Sequence, residues 1–387
     1  MSNYIPYGRQ DISQADIDAV IEVLRSDWLT QGPMIERFEQ TVADYCGAKY
    51  AVAVSSATAG LHLACLAAGL GEGDYFWTSP ITFVASANCG LYCGAQVDFV
   101  DINPRTYNMS VERLEEKLIE AEKIGKLPKL VIPVHLAGQS CEMERIYQLS
   151  QQYGFQILED ASHAIGAKYQ GKPVGSCQFS DMTVFSFHPV KIITTGEGGM
   201  ILTNKKELYE KLIRGRSHGI TRDPELMTEA SHGDWYYQQL ELGYNYRMTD
   251  IQAALGVSQM ERLDEFVERR QFLAMRYNEL LTDLSLDLPW QYPDTESSWH
   301  LYIIRLQGDK LDKTHRQVFE ALRSARISVN LHYIPVYKQP YYQKLRLDWG
   351  DFPEAEQYYQ EAISIPLYYG LSLDNQDQVI KSLGNIS

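Results

Sequence analysis

ILEDASHAIGA (residues 157–167) and FSFHPVKIITTGEGGM (residues 185–200) are the two stretches that decide the fold. The first is a short apolar run that stops at two carboxylates, Glu159 and Asp160, and passes through small residues to His163. The second runs through Ser186 and His188 into Lys191, turns at Thr-Thr-Gly-Glu-Gly-Gly and becomes apolar again. Apolar runs this short, bounded by turn residues, read as strands covered on both faces. The same texture recurs at YAVAV (50–54), QVDFV (96–100), LVIPV (130–134), DMTVFSF (181–187) and GGMILTN (198–204). Between the runs, spacing predicts helices from Thr58 to Ala68, Val111 to Lys123 and Glu142 to Tyr153. Strands alternating with helices build a mostly parallel sheet wrapped by helices, an α/β fold. Upstream, Ser13 and Asp16 make a capping-box start for a helix to about Asp27. LTQGP (29–33) breaks it, and a second helical pattern runs from about Met34 to Tyr45.

The texture changes near Thr249. One long helix is predicted from Asp250 to about Leu281, followed by the Pro-rich turn PWQYPDTE (289–296) and a strand at HLYIIRL (300–306). A helix from about Lys313 to Ser324, a strand at ISVNL (327–331) and a last helix complete the chain. The expectation is a large α/β unit over residues 1–249 and a smaller α+β unit over 250–387. The formal net charge of −15 excludes an extended nucleic-acid or anionic-membrane surface, which needs clustered Lys and Arg, but leaves room for a local phosphate pocket. No run approaches the ~18 unbroken apolar residues of a membrane span, and MSNYIPYGRQ (1–10) has no apolar signal core, so a soluble cytoplasmic protein is expected. Among six scattered cysteines only Cys89 and Cys93 sit close together, with no second pair and no neighbouring histidines, so no metal site is expected.

A carboxylate at the carboxyl end of a parallel strand points into the crevice where α/β sheets bind ligands. Asp160 has that place; it serves either as the cap of a following helix or as the anion facing a protonated pyridine nitrogen. Lys191, between apolar Val190 and Ile192, is either an exposed lysine beside a hairpin or a desolvated amine. Desolvation lowers an amine's pKa and suits it to Schiff-base formation and proton transfer. Ser186 can donate to a phosphate, and the glycines after Lys191 let backbone come close to a ligand. In VSSATAGLHLA (54–64) a strand ends in small polar residues and opens directly into a helix, whose free N–H groups attract anions. There Ala57, Thr58 and Ala59 leave room for a phosphate, or Thr58 is a plain cap. In TSPITFVASAN (78–88), Phe83 either lies flat on a cofactor ring or packs in the core. In GYNYRMTDIQAALG (243–256), Asn245, Tyr246 and Arg247 are poor core material and can reach a ligand in a neighbouring subunit.

Together, and in this order, these motifs resemble the sugar-nucleotide aminotransferases of the DegT/DnrJ/StrS type, over essentially the whole chain from YGRQDIS (7–13) to the last helix. The resemblance implies PLP-dependent transferase fold type I (aspartate aminotransferase-like) with pyridoxal 5'-phosphate as cofactor. It implies that Lys191 carries the cofactor as a Schiff base, Asp160 pairs with the pyridine nitrogen and His163 lies near the phenolic oxygen. Phe83 then stacks on the ring, while Thr58, Ala59 and Ser186 hold the phosphate. Asn245 reaches the phosphate from a partner subunit, which implies a homodimer with shared active sites. His332 and Tyr333 resemble the substrate-facing part of the small domain. Tyr7 to Arg9, with Thr30 and Gln31, resemble the lining of the sugar-nucleotide pocket.

TSPITFVASANC (78–89), SFHPVKIITTGEGG (186–199), SSWHLYIIRL (297–306) and HYIPVYKQPYY (332–342) resemble the branch that works in pseudaminic acid biosynthesis. That branch implies transfer of an amino group from L-glutamate to the 4-keto carbon of a UDP-4-keto-6-deoxy-N-acetylhexosamine of L-altro type. Two places depart from the usual pattern: Ile192 after the lysine, and GDYFWTSP (73–80) in place of a GDEV-type sequence. Neither removes a chemical group. Dehydratase relatives carry histidine where Lys191 stands, which sets them aside. A different keto sugar, or a non-catalytic binding protein on the same fold, are the rival readings.

Overall fold

A computed structural model describes residues 4–345 and 352–385. The chain opens with α1 (Gln14–Arg25) and α2 (Pro33–Cys46). The reciprocal cap expected at Ser13 is present: Ser13 Oγ accepts from Asp16 N at 3.2 Å and Asp16 Oδ2 accepts from Ser13 N at 2.7 Å. Seven strands follow: β1 (Tyr50–Val54), β2 (Tyr75–Thr78), β3 (Gln96–Phe99), β4 (Leu130–Ile132), β5 (Gln156–Asp160), β6 (Met182–Ser186) and β7 (Gly199–Thr203). They are joined by helices that include α3 (Ala57–Ala67), α4 (Ala85–Tyr92), α5 (Val111–Lys123), α6 (Met143–Tyr153) and α7 (Lys206–Arg216). The sheet order is β1-β7-β6-β5-β4-β2-β3, and only β7 runs antiparallel to its neighbours. Alternate side chains feed two cores: Val184 and Ile201 pack on one face with Phe76 and Phe99, Phe185 and Met200 on the other with Phe38 and Phe187. Coverage on both faces is why these strands read as unbroken apolar runs.

The registers bring four strand ends to one edge. Asp160 at the end of β5 pairs with Val184 on β6. Ser186 at the end of β6 pairs with Gly199, which also pairs with Val54 at the end of β1. The edge is therefore the carboxyl end of the parallel strands, where ligands bind in open α/β sheets.

The single helix predicted from Asp250 to Leu281 is two, α8 (Asp250–Met260) and α9 (Leu263–Leu280), broken at Glu261 and Arg262. Ser258 and Gln259 on α8 bond the buried Asp16 carboxylate at 2.6 and 2.8 Å, locking α8 to α1. Leu273, Ala274 and Tyr277 on α9 instead enter the C-terminal core. Leu263, Phe266 and Val267 at the start of α9 stay in the core that α8 enters, and Arg262 at the break turns its guanidinium to Asp11 at 2.6 Å.

The C-terminal sheet has the antiparallel order β8 (Leu286–Asp287), β9 (Tyr302–Leu306), β10 (Ala362–Ile365), with α10 (His315–Ser324) and α11 (Leu373–Gly384) beside it. The strand expected at ISVNL does not form as a regular element. Ile327 bridges Ile5 and Asn330 bridges Ser364, so this segment bonds at single points on two sides. β10, absent from the sequence reading, is the strand that pairs with β9 along its length. Ile5 is buried in the C-terminal core, and Leu367 N donates to Tyr7 O at 3.1 Å, so the N-terminal residues cross to this sheet. No helix among the described residues is long and apolar enough to cross a membrane.

Candidate active site

Successive residues of a strand point to opposite faces, and the end of β5 uses this to separate two carboxylates. Glu159 turns to His135, Ser180 and Thr183. Asp160, 5% exposed, turns to the crevice at the sheet edge. Ser162 donates to Asp160 Oδ1 twice, from its backbone N at 3.1 Å and its hydroxyl at 2.6 Å. Ser86 Oγ donates to Oδ2 at 2.5 Å. Thr82 Oγ1 lies 2.7 Å from Ser86 Oγ and supplies the next donor in line. The carboxylate is thus oriented by three donors, while Oδ2 keeps a lone pair for a ligand.

Lys191 sits in the turn after β6. The turn is pinned at both ends: Lys191 N bonds His188 O at 2.9 Å, and Thr195 N bonds Phe187 O at 3.0 Å. Buried Ile192 and Ile193 anchor its far side. Burial pulls the Lys191 amine down to about 8, with the charge of Asp160 pulling the other way. Over its whole side chain Lys191 is half-buried. Phe83 lies outside the core, 58% exposed, with its ring 6.2 Å from that of Tyr333.

The β1–α3 junction supplies free donors. Ser56 caps α3 by accepting from Ala59 N at 3.1 Å. The N–H groups of Ala57 and Thr58, and the hydroxyls of Thr58 and Ser186, have no partner among the described residues. Gly199 lies against this junction: a Cβ there would stand 2.7 Å from Ala57 N, so the approach needs glycine. An uncommitted helix N-terminus beside a free hydroxyl is a seat for a phosphate.

The C-terminal half completes the crevice. Tyr333 Oη lies 3.1 Å from His163 Nε2, and the His163 ring packs 4.4 Å from that of His300. Burial, then the charges of Lys191 and His332, hold His163 well below the usual histidine range. His332 is pushed down to about 4 by burial and by Lys191. Both His332 ring nitrogens are engaged, Nδ1 with Ser364 Oγ at 2.8 Å and Nε2 with Asn330 Nδ2 at 3.3 Å, so the group it offers the crevice is a ring edge. Tyr7 packs 5.5 Å from that ring.

Lys191, Asp160, His163, Phe83, His332 and Tyr333 therefore gather around one crevice, with Thr58, Ala59 and Ser186 at the β1–α3 junction on its sheet edge. Within one chain the structure does not bring Asn245 to them. Asn245 is exposed and bridges Ser217. Thr30 and Gln31 are exposed on a loop tied to α8, where Thr30 bridges Thr249 and Asp250 Oδ2 accepts from Gly32 N at 2.8 Å. Arg9 is exposed beside Tyr368. Sequence reasoning missed Ser86 and Ser162 as partners of Asp160. Ser162 two residues on has the spacing of an Asx turn, but Ser86 is 74 residues away and has no local signal.

An amine of lowered pKa, an oriented carboxylate, an exposed aromatic face and an empty-handed helix N-terminus are the groups that pyridoxal phosphate requires of a protein. The comparisons with known proteins point the same way. Residues 10–384 match the DegT/DnrJ/EryC1/StrS aminotransferase family. The chain is 37% identical over 384 residues to a UDP-4-amino-4,6-dideoxy-N-acetyl-beta-L-altrosamine transaminase of Campylobacter jejuni, covering 99% of this chain and 97% of that one. Helicobacter pylori PseC, an aminotransferase involved in the biosynthesis of pseudoaminic acid, superposes with a TM-score of 0.90 at 31% identity over 99% of both chains. The PLP form of Spr1654 from Streptococcus pneumoniae superposes with a TM-score of 0.88 at 30% identity, over 99% of this chain and 98% of that one. The fold is PLP-dependent transferase fold type I, and the chain belongs to the DegT/DnrJ/EryC1/StrS family of PLP enzymes as a sugar aminotransferase.

Proposed function

We propose that this protein moves the amino group of L-glutamate to the 4-keto carbon of a UDP-4-keto-6-deoxy-N-acetylhexosamine of L-altro type, a step of pseudaminic acid biosynthesis. The observation that carries the chemistry is the half-buried Lys191 amine, held by its turn across the crevice from an Asp160 carboxylate that Ser86 and Ser162 orient. The choice of sugar is supported by the names of the Campylobacter and Helicobacter relatives.

Pyridoxal phosphate, when bound, supplies an electron-accepting ring that stabilises negative charge at the donor's α-carbon. Lys191 would hold it, and Asp160 would keep its ring nitrogen protonated. Ala57 N–H, Thr58 and Ser186 would hold its phosphate, with Ala59 leaving room, and Phe83 and His163 would flank the ring. In the first half-reaction Lys191 Nζ takes the α-proton of glutamate; in the second it delivers a proton to C4 of the sugar. The lowered pKa places enough free amine at neutral pH for both directions. Tyr333 and the ring edge of His332 face the substrate side, with Tyr7 and Arg9 further out.

Asn245, Thr30 and Gln31 act in this reading through a second copy of the chain, in a cytoplasmic homodimer with shared sites. In this reading Asp160, His163 and Lys191 from the unit at 1–249 and His332 and Tyr333 from the unit at 250–387 supply the two walls of the crevice.

The test is spectroscopic. Purified protein should carry a visible cofactor band that bleaches with L-glutamate and returns when the L-altro keto sugar is added. A band that bleaches without returning keeps the aminotransferase and removes this sugar. Lys191→Ala should abolish turnover while leaving the protein folded; normal turnover would end the assignment. Mixing inactive Lys191 and Asn245 variants should restore activity in the hybrid dimers.

A further inference from the structure

The hydrogen-bond chain that ends on Tyr333 can run in only one direction. It begins at a backbone donor: Ala137 N–H points at His163 Nδ1, 3.2 Å away. A backbone N–H only donates, so Nδ1 accepts and carries no hydrogen. The imidazole is then neutral and its hydrogen sits on Nε2. Nε2 is 3.1 Å from Tyr333 Oη, so Nε2–H donates and the tyrosine oxygen accepts. The Tyr333 hydrogen is left over, and its hydroxyl has no other hydrogen-bond partner among the described residues.

The origin of the chain is stiff. Ala137 and Gly138 both have positive φ, 59° and 102°. Leu136 N bonds Asn108 Oδ1 at 2.9 Å, Ser298 N bonds Gly138 O at 3.1 Å and Leu301 N bonds Ala137 O at 3.3 Å. A Cβ on Gly138 would stand 2.7 Å from Ser298 Oγ. The Leu136 carbonyl of the same peptide accepts from Gln139 N at 3.2 Å, so turning the Ala137 N–H away would break that bond too, and the backbone sets the tautomer of His163.

We propose that Ala137 and His163 make Tyr333 an obligate hydrogen-bond donor to an acceptor-only oxygen of the bound ligand. The chemistry it reads is a carbonyl or phenolate oxygen, which occurs both on the keto carbon of the sugar and on the cofactor ring. Burial and the neighbouring Asp160 raise the Tyr333 phenol above its usual range, so the proton stays on Oη and is available to a ligand. If the oxygen is the sugar's, the bond is lost once an ammonium replaces the ketone, because an ammonium has no lone pair to offer. That asymmetry would favour substrate over product.

The inference rests on the aminotransferase reading, and its first test does not depend on activity. In apoprotein labelled with 15N-histidine, His163, assigned by its loss in H163N, should show a neutral ring protonated at Nε2. A ring protonated at Nδ1, or an imidazolium at pH 7, would overturn the proposal. Tyr333→Phe then separates the two sources. A loss of about tenfold or more in PLP affinity of the apoprotein assigns the oxygen to the cofactor. A loss of about tenfold or more in the rate at which the keto sugar restores the band, with PLP affinity intact, assigns it to the sugar. No change in either quantity overturns the proposal. Failure of glutamate to bleach the native band would count against the aminotransferase reading alone, leaving the tautomer result to stand.

Discussion

The last two residues of β5 carry the same functional group to opposite fates. Glu159 meets His135 Nε2 at 2.7 Å, Thr183 Oγ1 at 2.9 Å and Ser180, and His135 Nδ1 accepts Cys141 N at 3.1 Å. Every polar atom of that cluster is answered from within the fold, and burial, which would raise the Glu159 carboxyl, is outweighed by its donors. Asp160 has three donors too, but its neighbour across the crevice is Lys191, half-buried, with its amine pulled down to about 8 by burial. Both clusters contain a histidine whose Nδ1 takes a backbone N–H. His135 spends its Nε2–H on a carboxylate and the chain ends there. His163 spends its own on Tyr333, whose hydrogen is left without a partner among the described residues. The difference teaches that a closed polar cluster supports the fold and an open one does chemistry, even when their parts are nearly the same.

Three changes probe this contrast. Asp160→Asn should have the largest effect, a loss of roughly a hundredfold to a thousandfold in kcat with the fold intact, as expected when an electrostatic partner of the reacting group is removed. Near-normal rates in steady-state assays would take Asp160 out of the mechanism. Glu159→Ala should act on stability instead, costing roughly 3 kcal/mol because His135 Nε2–H is left buried without an acceptor. Urea denaturation measures the cost, and a kcat within a few fold of native in the folded fraction is expected. If Glu159→Ala lost activity as Asp160→Asn does, while remaining folded, the two faces of β5 would not be separate. The smallest effect concerns pH. Only the neutral Lys191 amine reacts with an aldehyde, so the rate of PLP uptake by apoprotein should rise with pH and level off above about 8. Below that value the rate should fall about tenfold per pH unit, as the free-amine fraction does. Stopped-flow absorbance would show this, and a profile still rising steeply at pH 10 would mean that Lys191 is not desolvated.

Much of this could be read from residue order alone. Buried parallel strands leave apolar runs, caps leave Ser13 and Asp16, and a strand ending in Glu159-Asp160 ahead of a turn carrying Lys191 marks the ligand edge. These signals are local, because they depend on the period of one element or the chemistry of one turn. The break at Glu261 and Arg262 was not legible, since the helical period continues through it and Arg262 is drawn to Asp11, 251 residues away in the chain. β10 was missed because four residues hold too little pattern, and ISVNL was overread because apolar content does not reveal whether a neighbouring strand is present.

By itself the sequence determined the α/β class and the order of the motifs, and it singled out Lys191 and Asp160 as candidates. Tertiary structure alone decided that Ser86 orients Asp160 from 74 residues away, that Glu159 is sealed while Asp160 is open, and that a backbone N–H at Ala137 sets the direction of the bond to Tyr333. The reason is physical. Composition and period encode which surfaces must be buried, whereas the polarity of a hydrogen-bond chain depends on which donors and acceptors the folded backbone places within reach.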